Sequence, residues 1–385
     1  MVREGVNPAC RSGPTAPLSH RSCIADTHLL IPEDIPFLPA VPLSMKASPL
    51  RFGIIGPGMI AGVVAEAIGK SSQATLTAVS SRRLDNAARF AANYPGAAAV
   101  EGTAALLSRP DVDAVYIATP TVAKEAIALE AIAAGKHVLV DKPFVDLASA
   151  RRMTEAASAA GVVFMDATHF VHHPRTALIR AAVPDKICKP QSLHTTFYFP
   201  FSDRANIRFD PREEPMTALG DMAWYAMRAV VEYLQPAGAV TQAVTAPERD
   251  PQSGAIIRAS GLIAFSSGEV STFDVGYTAG TVLMDLDLLG TTGFIRMDDF
   301  VLDWANSWSF RHPDNPAGYY HRTGMATRKD ITFIPTPSET PQEVSMIENF
   351  ARLTACGDAA ARAIHAKATL QTQQYLDALW EASQV

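Results

Sequence analysis

A chain of 385 residues with 48% hydrophobic and 19% charged residues has the composition of a globular protein with room for two domains. Its net charge of −6 argues against a nucleic-acid partner, because a phosphate backbone wants a basic face, and no apolar run approaches the ~18 residues that span a bilayer. The four cysteines, Cys10, Cys23, Cys188 and Cys356, lack Cys-x-x-Cys spacing, so neither a zinc ribbon nor a disulfide framework is expected and a reducing cytoplasm is the default compartment.

Residues 1–48 carry seven prolines and no sustained period of 2 or 3.6, and read as a disordered extension. Two other readings stay open: Met45 as the natural start, or an arm that packs on a partner subunit. The apolar piece His28–Leu43 is broken by prolines and acids, which argues against a signal peptide.

Short apolar runs then alternate with helical stretches. Strands are expected at Pro49–Gly56, Ala74–Ser81, Ala97–Gly102, Asp113–Thr119, His137–Val140 and Val162–Met165. Helices are expected at Met59–Gly69, Leu84–Asn93, Val122–Ala134 and Leu147–Ala160, with Asp85 capping the second. Strands without a polar face, separated by helices, imply a doubly wound parallel sheet of Rossmann type over residues 49–167. Beyond Thr168 strands follow one another: Ser192–Phe199, Ala239–Thr245, Ala255–Phe265, Val270–Tyr277, Val282–Leu289 and Gly293–Met297. Many alternate polar with apolar, which predicts a large, mainly antiparallel open sheet in an α+β domain over 168–385, with one face packed and the other free for a partner or a substrate. One helix interrupts it at Thr217–Leu234, and Glu343–Thr354 and Ala359–Ala382 close the chain.

Gly56-Pro57-Gly58-Met59-Ile60-Ala61 is a G-x-G-x-x-A fingerprint set between a strand and a helix, the context that a dinucleotide site requires. Gly56 permits the turn, Gly58 the approach of a pyrophosphate, and Ala61 the close packing of helix on strand. Where an NAD enzyme carries an acid, this chain has Ser80-Ser81-Arg82-Arg83, with Ser81 lying 25 residues beyond Gly56. A hydroxyl and guanidinium groups suit a 2′-phosphate, so NADP is favoured over NAD.

Asp141-Lys142-Pro143 follows the strand His137–Val140, at the carboxyl end where ligands of open α/β sheets bind. Proline after the lysine can fix the turn, through a cis bond if one forms there. Asp221 and Tyr225 are four apart in Gly220-Asp221-Met222-Ala223-Trp224-Tyr225 and share a helix face. Lysine, tyrosine and carboxylate suit proton movement beside a hydride transfer, the lysine lowering the tyrosine pKa or polarising the substrate oxygen.

From Arg51 to the last helix these segments, with Ala118-Thr119-Pro120, Gly135–Pro143 and Phe164-Met165-Asp166, resemble the glucose–fructose oxidoreductase/inositol dehydrogenase (Gfo/Idh/MocA) family. Val171-His172-His173-Pro174-Arg175, Asn206-Ile207-Arg208 and Tyr225 resemble its branch of dimeric dihydrodiol dehydrogenases and NADP-dependent D-xylose dehydrogenases. The resemblance implies Lys142 as the family lysine, Tyr225 as the proton-relay tyrosine and Asp221 as the helix carboxylate. It further implies Thr119, Pro120, Asp141, Lys142 and Pro143 beside the cofactor, and a homodimer or higher homo-oligomer through the outer face of the C-terminal sheet. Three positions depart from the family: Asp141 stands for the usual glutamate, Lys124 for a histidine, and Ala223 for a glycine.

His169, His172 and His173 near Asp166 fit no zinc spacing, so no metal is expected. One of these histidines or Arg175 is expected to line the substrate pocket, with His172, His173, Arg175 and Arg208 as the candidates. Trp304 and Trp308 read as core or interface residues, and the loops Ser202–Arg212 and His312–Lys329 as the shapers of the pocket. The expected reaction is hydride transfer between NADP(H) and a carbonyl/alcohol pair of a sugar or trans-dihydrodiol. A reductase of another small substrate, or a sensor that binds NADP(H) without chemistry, remain the alternatives.

Overall fold

Six short apolar runs pair as one parallel sheet in a computed structural model that describes residues 48–384. The expected N-terminal extension lies outside the described residues, except for its last residue. In chain order the elements are β1 (Leu50–Ile55), α1 (Met59–Lys70), β2 (Ala74–Ser81), α2 (Leu84–Ala91), β3 (Ala98–Glu101) and α3 (Thr103–Leu107). They continue with β4 (Ala114–Ile117), α4 (Thr121–Ala133), β5 (His137–Val140), α5 (Leu147–Ala160) and β6 (Phe164–Asp166). The strand order is β3-β2-β1-β4-β5-β6, all parallel, as expected for a Rossmann sheet. Every residue of β4 is buried, which explains why its sequence has no polar side. Order reverses between β1 and β4, and this opens a crevice beyond the carboxyl ends of β1, β4 and β5.

The second sheet is assembled from distant segments. After α6 (Pro174–Lys186) come β7 (Pro190–Tyr198), α7 (Thr217–Ala229), β8 (Val240–Arg249), β9 (Ile256–Phe265) and β10 (Val270–Gly276). They are followed by β11 (Leu283–Gly290), β12 (Gly293–Met297), β13 (Gly318–Thr323), β14 (Thr332–Pro335), α8 (Gln342–Cys356) and α9 (Ala359–Ala382). The order β14-β13-β12-β11-β7-β10-β9-β8 is antiparallel throughout except that β7 and β10 run parallel. Along β7, Leu193, Thr195 and Phe197 are buried while His194, Thr196 and Tyr198 face outward and are half-buried, so the alternation read from the sequence is the pleat itself. The buried face packs on α7, every residue of which is buried except Asp221.

The last two helices return to the first sheet. Val344, Ile347 and Phe350 of α8 join Phe52, Ile54, Val64 and Ile68 in one apolar cluster, and α9 packs on α5 and β6. That core is therefore completed by residues from the far end of the chain.

Several elements differ from expectation. The helix α6 was not expected, since Pro184 interrupts its pattern, but Pro174 sits at its first turn and His173 Nδ1 caps it by accepting from Arg175 N at 3.0 Å. Two strands, β13 and the edge strand β14, stand in a stretch expected to be mostly loop, and the short α3 is also new. The helix expected to Leu234 leaves α-geometry at Val230 and finishes as a π-turn, with Gln235 in the left-handed region at φ 49°. Asp85 does not cap α2; its carboxylate pairs with Arg83 at 2.6 Å within the first turn.

Three buried histidines, His169, His172 and His173, and two half-buried ones, His137 and His365, sit in this fold. Burial holds His169 and His173 down to about 3 and His365 to about 4, and it also lowers His137 and His172. An unfolded histidine takes its proton near pH ~6.5, so below that pH the unfolded chain binds protons the folded chain refuses, and stability falls as pH falls. Urea denaturation at pH 7 and pH 5 should show up to about 2 kcal/mol lost per fully buried histidine. Glu343, pushed up to about 7 by burial, works the other way and offsets roughly one of them. A stability that is flat over this range would contradict the burial of these rings.

Candidate active site

The turn after β1 is built by Gly56, whose φ of +91° suits only glycine, and a Cβ there would lie 2.9 Å from Ala118 O. Gly58 differs: a Cβ on it would meet nothing within 4 Å. The fold does not require glycine at that point, whereas a ligand lying over the turn would. Gly58 begins α1 with no side-chain cap and no acidic residue in the first turn, so the free N–H groups face the same space. Pro57 is half-buried in the turn, Met59 is 56% exposed at its rim, Ile60 lines the cavity below, and Ala61 is fully buried against the sheet.

Two hydroxyls flank the turn with nothing to bond among the described residues: Ser80 Oγ and Thr119 Oγ1 are buried without a partner there. Unpaired buried hydroxyls beside an uncapped helix and a vacant glycine face fit a polar, anionic ligand such as a dinucleotide. Beyond Ser80, Ser81 is half-buried, and its Oγ accepts from Arg83 N at 3.5 Å. Arg83 is taken up by Asp85, while Arg82 is exposed and has no ion-pair partner among the described residues. Pro120 stands just before α4 and makes no capping bond; Glu214 accepts there from Thr121 N at 3.0 Å and from Thr121 Oγ1 at 2.6 Å.

The bond between Lys142 and Pro143 is cis. Lys124 latches this turn, its buried ammonium donating to Lys142 O and Pro143 O at 3.0 Å each and to Thr121 Oγ1 at 3.1 Å. The residue that departs from the family pattern is thus a brace under the expected family lysine. Gly220 lets α7 come close, since a Cβ would stand 3.2 Å from Pro143 Cγ.

The structure brings Lys142, Asp221 and Tyr225 together. Lys142 Nζ donates to Asp221 O at 3.0 Å, pairs with Asp221 Oδ1, and lies 4.7 Å from the centre of the Tyr225 ring. Asp221 Oδ2 accepts from Arg208 Nε at 2.8 Å and from Tyr277 Oη at 3.1 Å. Burial opposes the charges of Lys142 and Asp221, but each overrides it for the other, so the lysine pKa is raised and the carboxyl pKa lowered. Tyr225 does not behave as expected. Lys142 does pull its pKa down, but burial outweighs the lysine and pushes the phenol up to about 12. The tyrosine is therefore a neutral acid. Its Oη lies 3.1 Å from His169 Nε2, and His169 Nδ1 lies 2.8 Å from Gln342 Nε2.

Lys142, Asp221, Tyr225 and His169 line one cavity between the crevice of the first sheet and the inner face of the second, together with Asp141, Tyr116 and Arg208. Ile60, Val63 and Met346 form its wall toward α1, and Phe197, Phe199 and Trp308 the wall toward β7. Three expected pocket residues are elsewhere. His172 bonds Asn349 through Nδ1 and stacks on His365, His173 caps α6, and Arg175 is locked to Asp299 with 2% of its surface exposed. All three are held by protein groups, and only Arg208 of the four faces the cavity. His169 takes the place expected for one of the histidines. Trp308 lines the wall although a core or interface place was expected, and Glu343 was not foreseen at all. The loop 202–212 contributes Arg208, but none of 312–329 reaches the cavity. Among the described residues no group of three His, Cys, Asp or Glu could hold a metal, and no helix is long and apolar enough to cross a membrane.

Known proteins share this fold. The oxidoreductase family with an NAD-binding Rossmann fold, Gfo/Idh/MocA, matches residues 50–168. A dTDP-3,4-didehydro-2,6-dideoxy-α-D-glucose 3-reductase of Streptomyces antibioticus is 32% identical over 261 residues, 66% of this chain and 77% of the relative. A trans-1,2-dihydrobenzene-1,2-diol dehydrogenase of Mus musculus is 35% identical, but over only 31% of this chain and 36% of its own length. The crystal structure of a 3-ketoreductase from Actinomadura kijaniata in complex with NADP and TDP-benzene covers 87% of this chain and 98% of its own, at 24% identity and a TM-score of 0.76. GenD2 from gentamicin A biosynthesis, in complex with NAD, covers 89% and 96% at 21% identity and a TM-score of 0.71. With the fingerprint turn, the two sheets and a relative matched over most of its length all in agreement, this chain belongs to the Gfo/Idh/MocA family of oxidoreductases, which bind a nicotinamide nucleotide on a Rossmann sheet.

Proposed function

We propose that the protein is an NADP-dependent reductase of a ketone on a sugar ring, running reversibly as an alcohol dehydrogenase. The observation that carries this reading is a neutral, cavity-facing tyrosine beside a charged lysine at the carboxyl end of β5. The similarity to dTDP-sugar 3-reductases over 66% of the chain supports a nucleotide-linked keto sugar, and the short alignment with the dihydrodiol enzyme makes that diol the weaker candidate. In this reading the first sheet holds the nucleotide and the second holds the substrate.

The nicotinamide supplies or takes the hydride when bound. Gly56, Gly58 and the start of α1 would hold its pyrophosphate, and Ser81 and Arg82 its 2′-phosphate. Tyr225 Oη gives a proton to the substrate oxygen as the carbonyl carbon is reduced, and takes it back in oxidation. Lys142 stabilises the negative charge left on the oxygen or the phenolate, and Asp221, with Arg208 and Tyr277, fixes the lysine in place. A sensor without chemistry would not need this acid and cation around a cavity.

Titration with NADPH and NADH followed by fluorescence, and then a panel of dTDP-keto sugars, free sugars including D-xylose, and dihydrodiols, tests the reading. Tighter binding of NADPH and turnover of a sugar ketone are expected. Arg82→Ser should weaken NADPH about tenfold, the equivalent of one charge-assisted contact, while sparing NADH. Equal affinity for both cofactors would remove the NADP preference, and binding without turnover would favour the sensor.

A further inference from the structure

Next to His169, which lines the cavity, lies a glutamine whose two hydrogens are both committed. Gln342 is the first residue of α8 and has no exposed surface. Its Nε2 lies 2.8 Å from Val301 O and 2.8 Å from His169 Nδ1. A backbone carbonyl only accepts, so the amide atom facing Val301 must be the nitrogen; turning the amide over would set two acceptor oxygens at contact distance. One amide hydrogen therefore goes to Val301 O and the other to His169 Nδ1, which must be bare to receive it. His169 is a neutral ring, because burial and the charge of Lys142 disfavour a second proton. Its single hydrogen is then on Nε2, aimed at Tyr225 Oη. His169 is the only hydrogen-bond partner of that oxygen among the described residues.

From this we infer that Gln342 is a positioning residue for the proton donor: it fixes His169 as the Nε2–H tautomer, so that the tyrosine oxygen accepts from the histidine and keeps its own hydrogen for the substrate. The inference deepens the reading of Tyr225 as the acid and rests on it for its consequence in turnover. The other tautomer would present a bare Nε2, the tyrosine would donate to it, and the hydrogen would be committed to the histidine instead of the substrate.

The same bonds determine what His169 cannot do. To pass its Nε2 hydrogen to a tyrosinate it would have to collect another at Nδ1, where it meets an N–H of Gln342 rather than an acceptor or a proton source. His169 thus holds the phenolate by a hydrogen bond and does not refill it. In the reduction, the hydride from the reduced nicotinamide bonds to the carbonyl carbon, the proton of Tyr225 Oη bonds to the oxygen, and the phenolate regains a proton from the water side of the cavity.

The tautomer can be read without cofactor or substrate. Long-range proton–nitrogen NMR of the ring nitrogens at pH 7 should show His169 with bare Nδ1 and protonated Nε2, and Gln342→Met should mix or invert the two. A protonated Nδ1 in the unaltered protein overturns the inference, even if the variant does not fold. In turnover, Gln342→Met should lower kcat about 10- to 100-fold with KM little changed, the usual loss when an outer partner that orients an imidazole is removed. A glutamine at 169 carries an N–H where Nε2–H stood and has no tautomer to set. In the His169→Gln background the Gln342→Met loss should therefore shrink to within about threefold, and equal losses in both backgrounds would reduce Gln342 to a packing residue. The expected spectrum in a protein that turns over no panel substrate would remove the reductase reading and leave the tautomer standing.

Discussion

Phenylalanine in place of Tyr225 is expected to lower kcat for ketone reduction by about 10²- to 10⁴-fold, the usual worth of a positioned acid. The ring itself would stay. It keeps the 4.7 Å contact with the Lys142 ammonium and the edge-on contact with Phe197 at 5.3 Å, so the fold and the affinity for NADPH should hold. A second signature comes from pH. With the phenol pushed up to about 12, reduction by the unaltered enzyme should not decline as pH passes ~10, where an ordinary tyrosine ionises. Stopped-flow single turnovers at saturating NADPH separate the chemical step from product release. Turnover within a fewfold of the parent would remove Tyr225 as the donor.

Arg175→Met is expected to cost about 3–5 kcal/mol of folding stability, because Asp299 would be left as a buried charge without a partner. The guanidinium donates to Asp299 Oδ1, to Asp299 O at 2.9 Å and to Gly318 O at 3.4 Å, and 5% of the Asp299 side chain is exposed. It ties α6 to the turn after β12 and to the start of β13. Removing both charges in Arg175→Met with Asp299→Leu should recover much of the loss, since an apolar pair of similar volume is often neutral. Urea denaturation gives both numbers. Were Arg175 a substrate ligand, as the sequence suggested, stability would change little and KM would rise instead.

That contrast shows what the sequence makes legible. The fingerprint Gly56–Ala61 and the pair Asp221/Tyr225 are local patterns, in which spacing alone places groups on one turn or one helix face. Lys142 was legible because a strand end in a parallel sheet is a place as well as a residue. His169 and Gln342 are 173 positions apart, and no periodicity connects them. His172, His173 and Arg175 look like pocket residues because polar side chains cluster there; they are instead paired with Asn349, a helix N-terminus and Asp299, none of which their neighbours in sequence announce. Pro184 concealed α6, and β14 is the edge strand of its sheet with β13 next to it, where a polar, irregular pattern is tolerated.

The return of α8 to the first sheet has a consequence for how the chain acquires its shape. Strands β1 to β6 are complete by Asp166, and their pairings are close in sequence, so this sheet can form while later residues are still emerging from the ribosome. Its helix α1, however, is finished only by Val344, Ile347 and Phe350, and the aromatic contact of Phe52 with Phe350 at 5.6 Å spans almost the whole described chain. Until then the nascent sheet carries an uncovered apolar flank. The same late segment delivers Glu343 and Met346 to the cavity and Gln342 to His169, so closure of that flank and completion of the cavity are a single event at the end of synthesis.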